Sequence, residues 1–112
     1  MSEQRSNEYS ILGENSDVEI LVVEDSPTQA LYLQNVLEQA GYKVQVASNG
    51  ESALEFLGTS EPTLVLSDIV MPGLDGYELC RKIKDNPDLA QVPVILVTSL
   101  SDPLDILNGL KS

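Results

Sequence analysis

The chain has 112 residues, 42% of them hydrophobic, which is enough for one domain with an apolar core. Its 18 acidic and 6 basic residues give a formal net charge of −12, which argues against direct binding to nucleic acids or anionic membranes. The single cysteine and the lack of histidine exclude an intrachain disulfide and histidine-based triads, and they favour a reducing, cytoplasmic location.

Strands and helices are predicted to alternate along the chain. Residues 1–17 are mostly polar and are predicted to form an N-terminal tail, so the folded domain is expected over residues 18–112. Apolar runs predict strands, and helically spaced apolar residues predict the helices between them. The predicted strands are 18–23, 43–47, 64–68 and 92–98, and the predicted helices are 27–40, 51–57, 77–84 and one that starts at Pro103. This order predicts an α/β fold with a parallel sheet and helices on both faces.

Local signals mark several boundaries. Ser26 is a good N-cap before Pro27, and Gly41 is typical of the residue that follows a helix. Asn49 and Gly50 are predicted to form a turn. Three leucines are expected to form the apolar side of the last helix, which should face the core: Leu104, Leu107 and Leu110.

Acidic side chains stand at the ends of two predicted strands. Glu24 and Asp25 follow the first strand and Asp68 ends the third, and open α/β sheets bind ligands at the carboxyl ends of their strands. If these strands are neighbours, the carboxylates repel one another, and at least one pKa rises. Mg²⁺ prefers oxygen ligands and removes that repulsion. We therefore expect a Mg²⁺ site at which Asp68 attacks phosphorus to form an aspartyl-phosphate.

Thr98 ends the fourth predicted strand, where its hydroxyl is placed to bind a phosphoryl oxygen on Asp68. The residue types alone leave a simpler interpretation open. Acids after strands often cap helices, and threonine is common in strands.

Three separated blocks carry a resemblance to a known family. They are Val-Val-Glu-Asp at 22–25, Asp68 followed by Met-Pro-Gly-Leu-Asp-Gly at 71–76, and Val-Ile-Leu-Val-Thr-Ser at 94–99. Together they resemble the receiver domain of bacterial two-component response regulators, the CheY-like domain, from about Ile20 to the C-terminus. The resemblance implies a flavodoxin-like doubly wound sheet of strand order 2-1-3-4-5.

The resemblance also implies residue roles. Asp68 matches the phosphoacceptor, and Glu24, Asp25 and the backbone carbonyl of Val70 match the protein ligands of Mg²⁺. Thr98 matches the hydroxyl that turns toward the phosphate. Two loop residues match those that shape the pocket: Pro72 and Gly76. The implied donor is a phosphohistidine on a histidine kinase or phosphotransfer protein, and the implied response is a changed interaction with a downstream output domain or protein, without enzymatic turnover.

The sequence departs from the family at its C-terminus. The family has a fifth strand and helix, and that strand ends in a lysine that pairs with the phosphoryl group. Lys111 follows a helical pattern, so the role is not transferred to it. We expect a truncated receiver of strand order 2-1-3-4, a fragment of a larger response regulator or hybrid kinase, with impaired phosphotransfer.

Truncation has predicted structural consequences as well. The fourth strand becomes an open edge, through which the chain is expected to associate with or exchange elements with a second copy. The sheet face shared with the first helix is expected to lose its second cover. Val70 and Leu100 lie two residues after Asp68 and Thr98; since neither can position a water molecule, slow loss of the phosphoryl group is expected.

Three alternative functions are open to a chain with these residues. An aspartate-nucleophile phosphatase usually carries a second aspartate where this chain has Val70. A flavin site needs small donors where the chain has Glu24 and Asp25, which repel phosphate. An unphosphorylated receiver-like scaffold is reasonable for a chain without the lysine, but it leaves the acids and Asp68 unexplained.

Overall fold

The computed structural model describes residues 17–98 and 101–111. Its parallel strands form one sheet in the order β2-β1-β3-β4. The strands are β1 (Glu19–Val23), β2 (Lys43–Ala47), β3 (Leu64–Asp68) and β4 (Val94–Val97). The predicted α/β class and the strand order 2-1-3-4 are confirmed. The predicted tail at residues 1–17 lies outside the described residues, apart from Asp17.

The helices are α1 (Pro27–Gln39), α2 (Gly50–Leu57), α3 (Gly76–Asp85) and α4 (Pro103–Lys111). The side chain of Ser26 caps α1 as predicted, accepting a hydrogen bond from Gln29 N. The predicted turn at Asn49 is wrong, because Asn49 is instead an N-cap whose side chain accepts from Ser52 N. Gly41 follows α1 with φ of 99°, which explains the glycine there.

β4 is shorter than the predicted strand at 92–98. The carbonyl of Val92 accepts a hydrogen bond from Lys84 Nζ at 2.6 Å, and the Val92 N–H donates to Leu89 in a turn. Pro93 has no N–H to donate. The ladder therefore begins at Val94 and ends at Val97, and Thr98 follows the strand.

The helices cover both faces of the sheet. Alternate residues of β1 and β3, with Val23 and Val65 among them, pack with α2 and α3 on one face. The residues between them, with Val22 and Leu66 among them, pack with α1 on the other face. β1 and β3 are buried because they are central strands covered on both faces.

α4 packs on the same face as α1. Leu107 joins the cluster that holds Leu33 and Leu37 of α1, and Ile106 and Leu110 pack against it. The expectation that this face loses its second cover is therefore wrong. The expectation for the leucines of α4 is partly wrong, because Leu104 is 53% exposed.

Leu104 is exposed because of its position on the helix. The side of α4 that faces the core is a stripe of buried or half-buried residues at i, i+3, i+4 and i+7: Pro103, Ile106, Leu107 and Leu110. Leu104 lies beside this stripe. Among the helices of residues 17–98 and 101–111, none has both the length and the apolar character needed to cross a membrane.

Candidate functional site

The acids predicted at two strand ends come together. Val23 of β1 pairs with Ser67 of β3, so the residues that follow, Glu24 and Asp68, lie at the same level of the sheet. Each of Glu24, Asp25 and Asp68 offers a carboxylate oxygen that lies within 4.8 Å of the oxygens offered by the other two. The convergence predicted from strand order is thus present in the structure.

Glu24 is held by the start of α1. It is only 9% exposed, and its Oε2 accepts a hydrogen bond from Ser26 N at 3.0 Å. Burial raises the pKa of the Glu24 carboxyl, and the nearby charges of Asp68 and Asp25 raise it further, against the opposing effect of the Ser26 N–H. Asp25 is exposed, so it can reach a ligand that approaches from solvent.

Asp68 is 3% exposed, and its Oδ1 accepts from Val70 N at 3.4 Å. Burial raises the pKa of this carboxyl and the charge of Asp25 adds to the shift, whereas hydrogen bonds from Val70 and Ile69 lower it. A buried carboxylate beside two other acids favours a cation. The donor set consists of oxygen atoms, which suits a hard divalent ion such as Mg²⁺.

The loop after β3 is anchored at both ends. Val70 is 77% exposed, whereas Met71 is 6% exposed and packs in the core with α2 and α3. Gly76, predicted to be a loop residue, is instead the first residue of α3 and is buried. A Cβ atom there would collide with the carbonyl oxygen of Asp68 and lie 2.9 Å from Ile69 Cα, so only glycine allows this approach. Pro72 is exposed in the loop.

Thr98 lies beside the acids but does not contact them through a described hydrogen bond. Its neighbour Val97 pairs with Asp68 across the sheet. Thr98, Glu24 and Ser101 are among the residues that line a cavity of about 230 Å³ between α1 and α4. The Thr98 hydroxyl shares a hydrogen bond with the Ser101 hydroxyl at 3.2 Å.

Two serines near the site are missing from the residues predicted from sequence. The contact of Ser101 with Thr98 has no sequence signal. Ser67 is fully buried and donates a hydrogen bond from Oγ to the carbonyl oxygen of Asp68 at 2.9 Å. The sequence does carry a signal for Ser67, because it is a hydroxyl residue in an otherwise apolar strand, directly before Asp68.

Lys111 lies away from this cluster. It lines a separate cavity with Gln39 and Ala40 at the C-terminal end of α1, whereas Asp25 precedes the N-terminal end of that helix. This placement does not bring Lys111 to the three acids.

A family model, described as the response regulator receiver domain, matches residues 20–112. The chain belongs to the response regulator receiver domain family. The predicted family is therefore confirmed, and the chain is a receiver domain of two-component signal transduction.

Similar proteins agree with this assignment. The response regulator PleD of Caulobacter vibrioides is 39% identical over 93 residues, which cover 83% of this chain and 20% of PleD. The signal receiver domain of a signal transduction histidine kinase from Syntrophus aciditrophicus is 51% identical, with a TM-score of 0.70 over 84% of this chain and 71% of that one. The Mn²⁺-bound response regulator Rcp1 is 30% identical, with a TM-score of 0.66 over 84% of this chain and 74% of that one. This receiver spans about a fifth to two fifths of the length of the curated relatives it matches.

Proposed function

We propose that Asp68 accepts a phosphoryl group in a reaction that requires Mg²⁺, held by Glu24, Asp25, Asp68 and the backbone carbonyl of Val70. The observation that carries this proposal is the convergence of three carboxylates within 4.8 Å at the ends of β1 and β3. Membership of the receiver family and the Mn²⁺-bound form of the similar protein Rcp1 support it.

The chemistry follows from the position of Asp68. One carboxylate oxygen attacks phosphorus and forms an O–P bond, while the bond between phosphorus and the donor breaks and its electron pair leaves with the donor group. A bound divalent cation supplies positive charge that offsets the carboxylates and the phosphoryl oxygens. The N–H group of Val70 donates to the Asp68 carboxylate and stabilises its charged form.

Phosphorylation is proposed to act through Thr98. An aspartyl-phosphate adds close to two negative charges and three acceptor oxygens next to β4. Thr98 follows the residue that pairs with Asp68, and we expect its hydroxyl to leave Ser101 and bind a phosphoryl oxygen. The face around β4 and α4 would then change its shape for a partner.

The proposed partners follow from this role. The donor is a phosphohistidine on a histidine kinase or phosphotransfer protein, and the responder is an output domain or protein. A second copy bound at the β4 edge is a further proposed partner. We also propose a cytoplasmic location, where a reducing medium leaves Cys80 free.

We propose that this receiver acts as a binding switch and not as an enzyme with turnover on an external substrate. Phosphatases with an aspartate nucleophile need a nearby acid to protonate the leaving group. The corresponding position holds Val70, which is apolar and 77% exposed.

The proposal is tested by incubating the chain with acetyl phosphate and Mg²⁺ and measuring intact mass. We expect one added phosphoryl group, gained slowly because the sequence predicts impaired phosphotransfer, and no addition in Asp68→Asn or without Mg²⁺. Asp88→Asn is the matched control, because Asp88 is an exposed acid in the loop before β4. Labelling that survives in Asp68→Asn, or that ignores Mg²⁺, would overturn the proposal.

A further inference from the structure

Ser67 is a buried polar residue on an otherwise apolar face of a central strand. It lies between Leu66 and Asp68 on a central strand, and its exposed fraction is zero. Strand alternation places it on the same face as Val65, which packs with α2 and α3 and not with the acidic cluster. Burying a hydroxyl is unfavourable unless it forms a hydrogen bond, so the partner of the Ser67 hydroxyl indicates the role of this residue.

That partner is the backbone of the proposed phosphoacceptor. Ser67 Oγ donates to the carbonyl oxygen of Asp68 at 2.9 Å. Gly76 at the start of α3 packs directly against the same carbonyl, at a distance that no side chain would allow. The Asp68 carbonyl therefore lies between a buried hydroxyl and the first residue of α3.

The same peptide group is held on its other side as well, because Ile69 N donates to Val97 O of β4 at 2.9 Å. The next peptide group is held through Ile69 O, which accepts from Gly76 N at 2.9 Å. Its N–H, that of Val70, donates to Asp68 Oδ1 at 3.4 Å. The orientation of the Asp68 carboxylate thus depends on two consecutive peptide groups, and Ser67 and Val97 hold the first of them from opposite sides.

We propose that Ser67 is a positioning residue for phosphoryl acceptance by Asp68, acting through the Asp68 carbonyl and never touching the phosphoryl group. This inference rests on the proposed function. Without the hydroxyl, this peptide group keeps only its hydrogen bond to Val97 O and can tilt about it, so the carboxylate of Asp68 and the carbonyl of Val70 lose part of their alignment. Because attack on phosphorus requires close alignment, a small rotation slows it more than it lowers stability.

The test compares Ser67→Ala with Val65→Ala. Val65 is fully buried on the same face of the same strand, so its truncation loosens the core without removing a hydrogen bond to Asp68. We expect Ser67→Ala to slow labelling by acetyl phosphate at saturating Mg²⁺ by about threefold to tenfold. Val65→Ala is expected to lose more stability yet to be labelled within about twofold of the unsubstituted chain.

Two further measurements separate positioning from general loosening. Ser67→Thr retains the hydroxyl and is expected to recover most of the labelling rate. Amide hydrogen exchange at Ile69 and Val70 is expected to accelerate in Ser67→Ala and to stay unchanged in Val65→Ala. If the added methyl group of threonine prevents folding, the comparison of amide exchange in Ser67→Ala and Val65→Ala still tests the inference.

Labelling of Ser67→Ala at the unsubstituted rate would overturn the inference and leave the role of Asp68 intact. Equal slowing and equal exchange in Ser67→Ala and Val65→Ala would overturn it too, since both would then report a looser core. Failure of the proposed function gives a different result, because the unsubstituted chain itself would then not be labelled, and the inference would fall with it.

Discussion

The carboxylates of Glu24 and Asp68 lie within 4.8 Å of each other although they belong to distant parts of the chain. Both are nearly buried, and burial raises the pKa of each. Since each pKa is higher in the folded chain than in an unfolded one, the folded state binds these protons more tightly. The resulting stabilisation is complete below the unfolded-state pKa values and is lost as the pH rises through the folded-state values.

Above the folded-state pKa values, the ionised carboxylates destabilise the metal-free fold through their burial and mutual repulsion. We expect Asp68→Asn to raise the free energy of unfolding of the metal-free chain at pH 7 by about 1 kcal/mol, with the gain fading as the pH falls toward about 4. Urea denaturation with a chelator present measures it, and Asp88→Asn is the control without such a gain. A less stable Asp68→Asn at pH 7 would contradict the argument.

Mg²⁺ should offset the repulsion between these carboxylates by binding the folded state. We expect it to stabilise the unsubstituted chain at pH 7 by about 2.7 kcal/mol at a concentration 100 times its Kd, and by less as the pH falls. Asp25→Asn is the most informative variant, because Asp25 is exposed and its loss should leave the fold unchanged. We expect it to weaken Mg²⁺ binding about tenfold or more in a calorimetric titration. Equal binding by both proteins would argue against this site.

The sequence predicted those features that depend on local pattern. β2 and β3 have the predicted bounds. The alternation of polar and apolar residues defines β2, and the apolar run that ends on Asp68 defines β3. The convergence of the three acids was also predicted from the strand order, since neighbouring parallel strands bring their carboxyl ends to one edge of the sheet.

Features set by tertiary packing could not be predicted in the same way. The stripe on α4 shows that the helix buries one side, but not that Leu107 packs against α1. The hydrogen bonds of Ser67 and Ser101 depend on side-chain orientation, which the sequence pattern does not carry. Predicted strand ends fail where a distant group intervenes, as Lys84 does at Val92.

Val70 offers a test of phosphoryl lifetime. Its exposed apolar side chain next to Asp68 cannot orient a water molecule. We expect Val70→Asn to accelerate loss of the phosphoryl group by about threefold or more, and Val70→Ala to leave it unchanged. Decay is followed by intact mass after removal of the donor. Slower or equal decay in Val70→Asn would reject the idea. Leu100→Glu carries the same prediction, although Leu100 lies outside the described residues.

The hydrogen bond between Thr98 and Ser101 competes with the one proposed between Thr98 and a phosphoryl oxygen. We therefore expect Ser101→Ala to tighten binding of beryllofluoride, a phosphoryl mimic, by about twofold to fivefold in the presence of Mg²⁺. In a Thr98→Ala background the same substitution should have no effect, because the competition is already absent. An equal gain in both backgrounds would show that Ser101 acts on some other group.

Ile95 tests association through β4. In the part of the chain that the structure describes, β4 is at the edge of the sheet, and Ile95 is 37% exposed there. An edge strand with apolar side chains can pair with a second copy, and a lysine on the edge opposes such pairing. We expect the chain to form dimers or larger species at high concentration, and Ile95→Lys to shift it toward monomer in size-exclusion chromatography with light scattering. Leu104→Lys is the control, since Leu104 is an exposed apolar residue away from the strand. A monomeric unsubstituted chain at high concentration, or an equal shift with Leu104→Lys, would count against association through this edge.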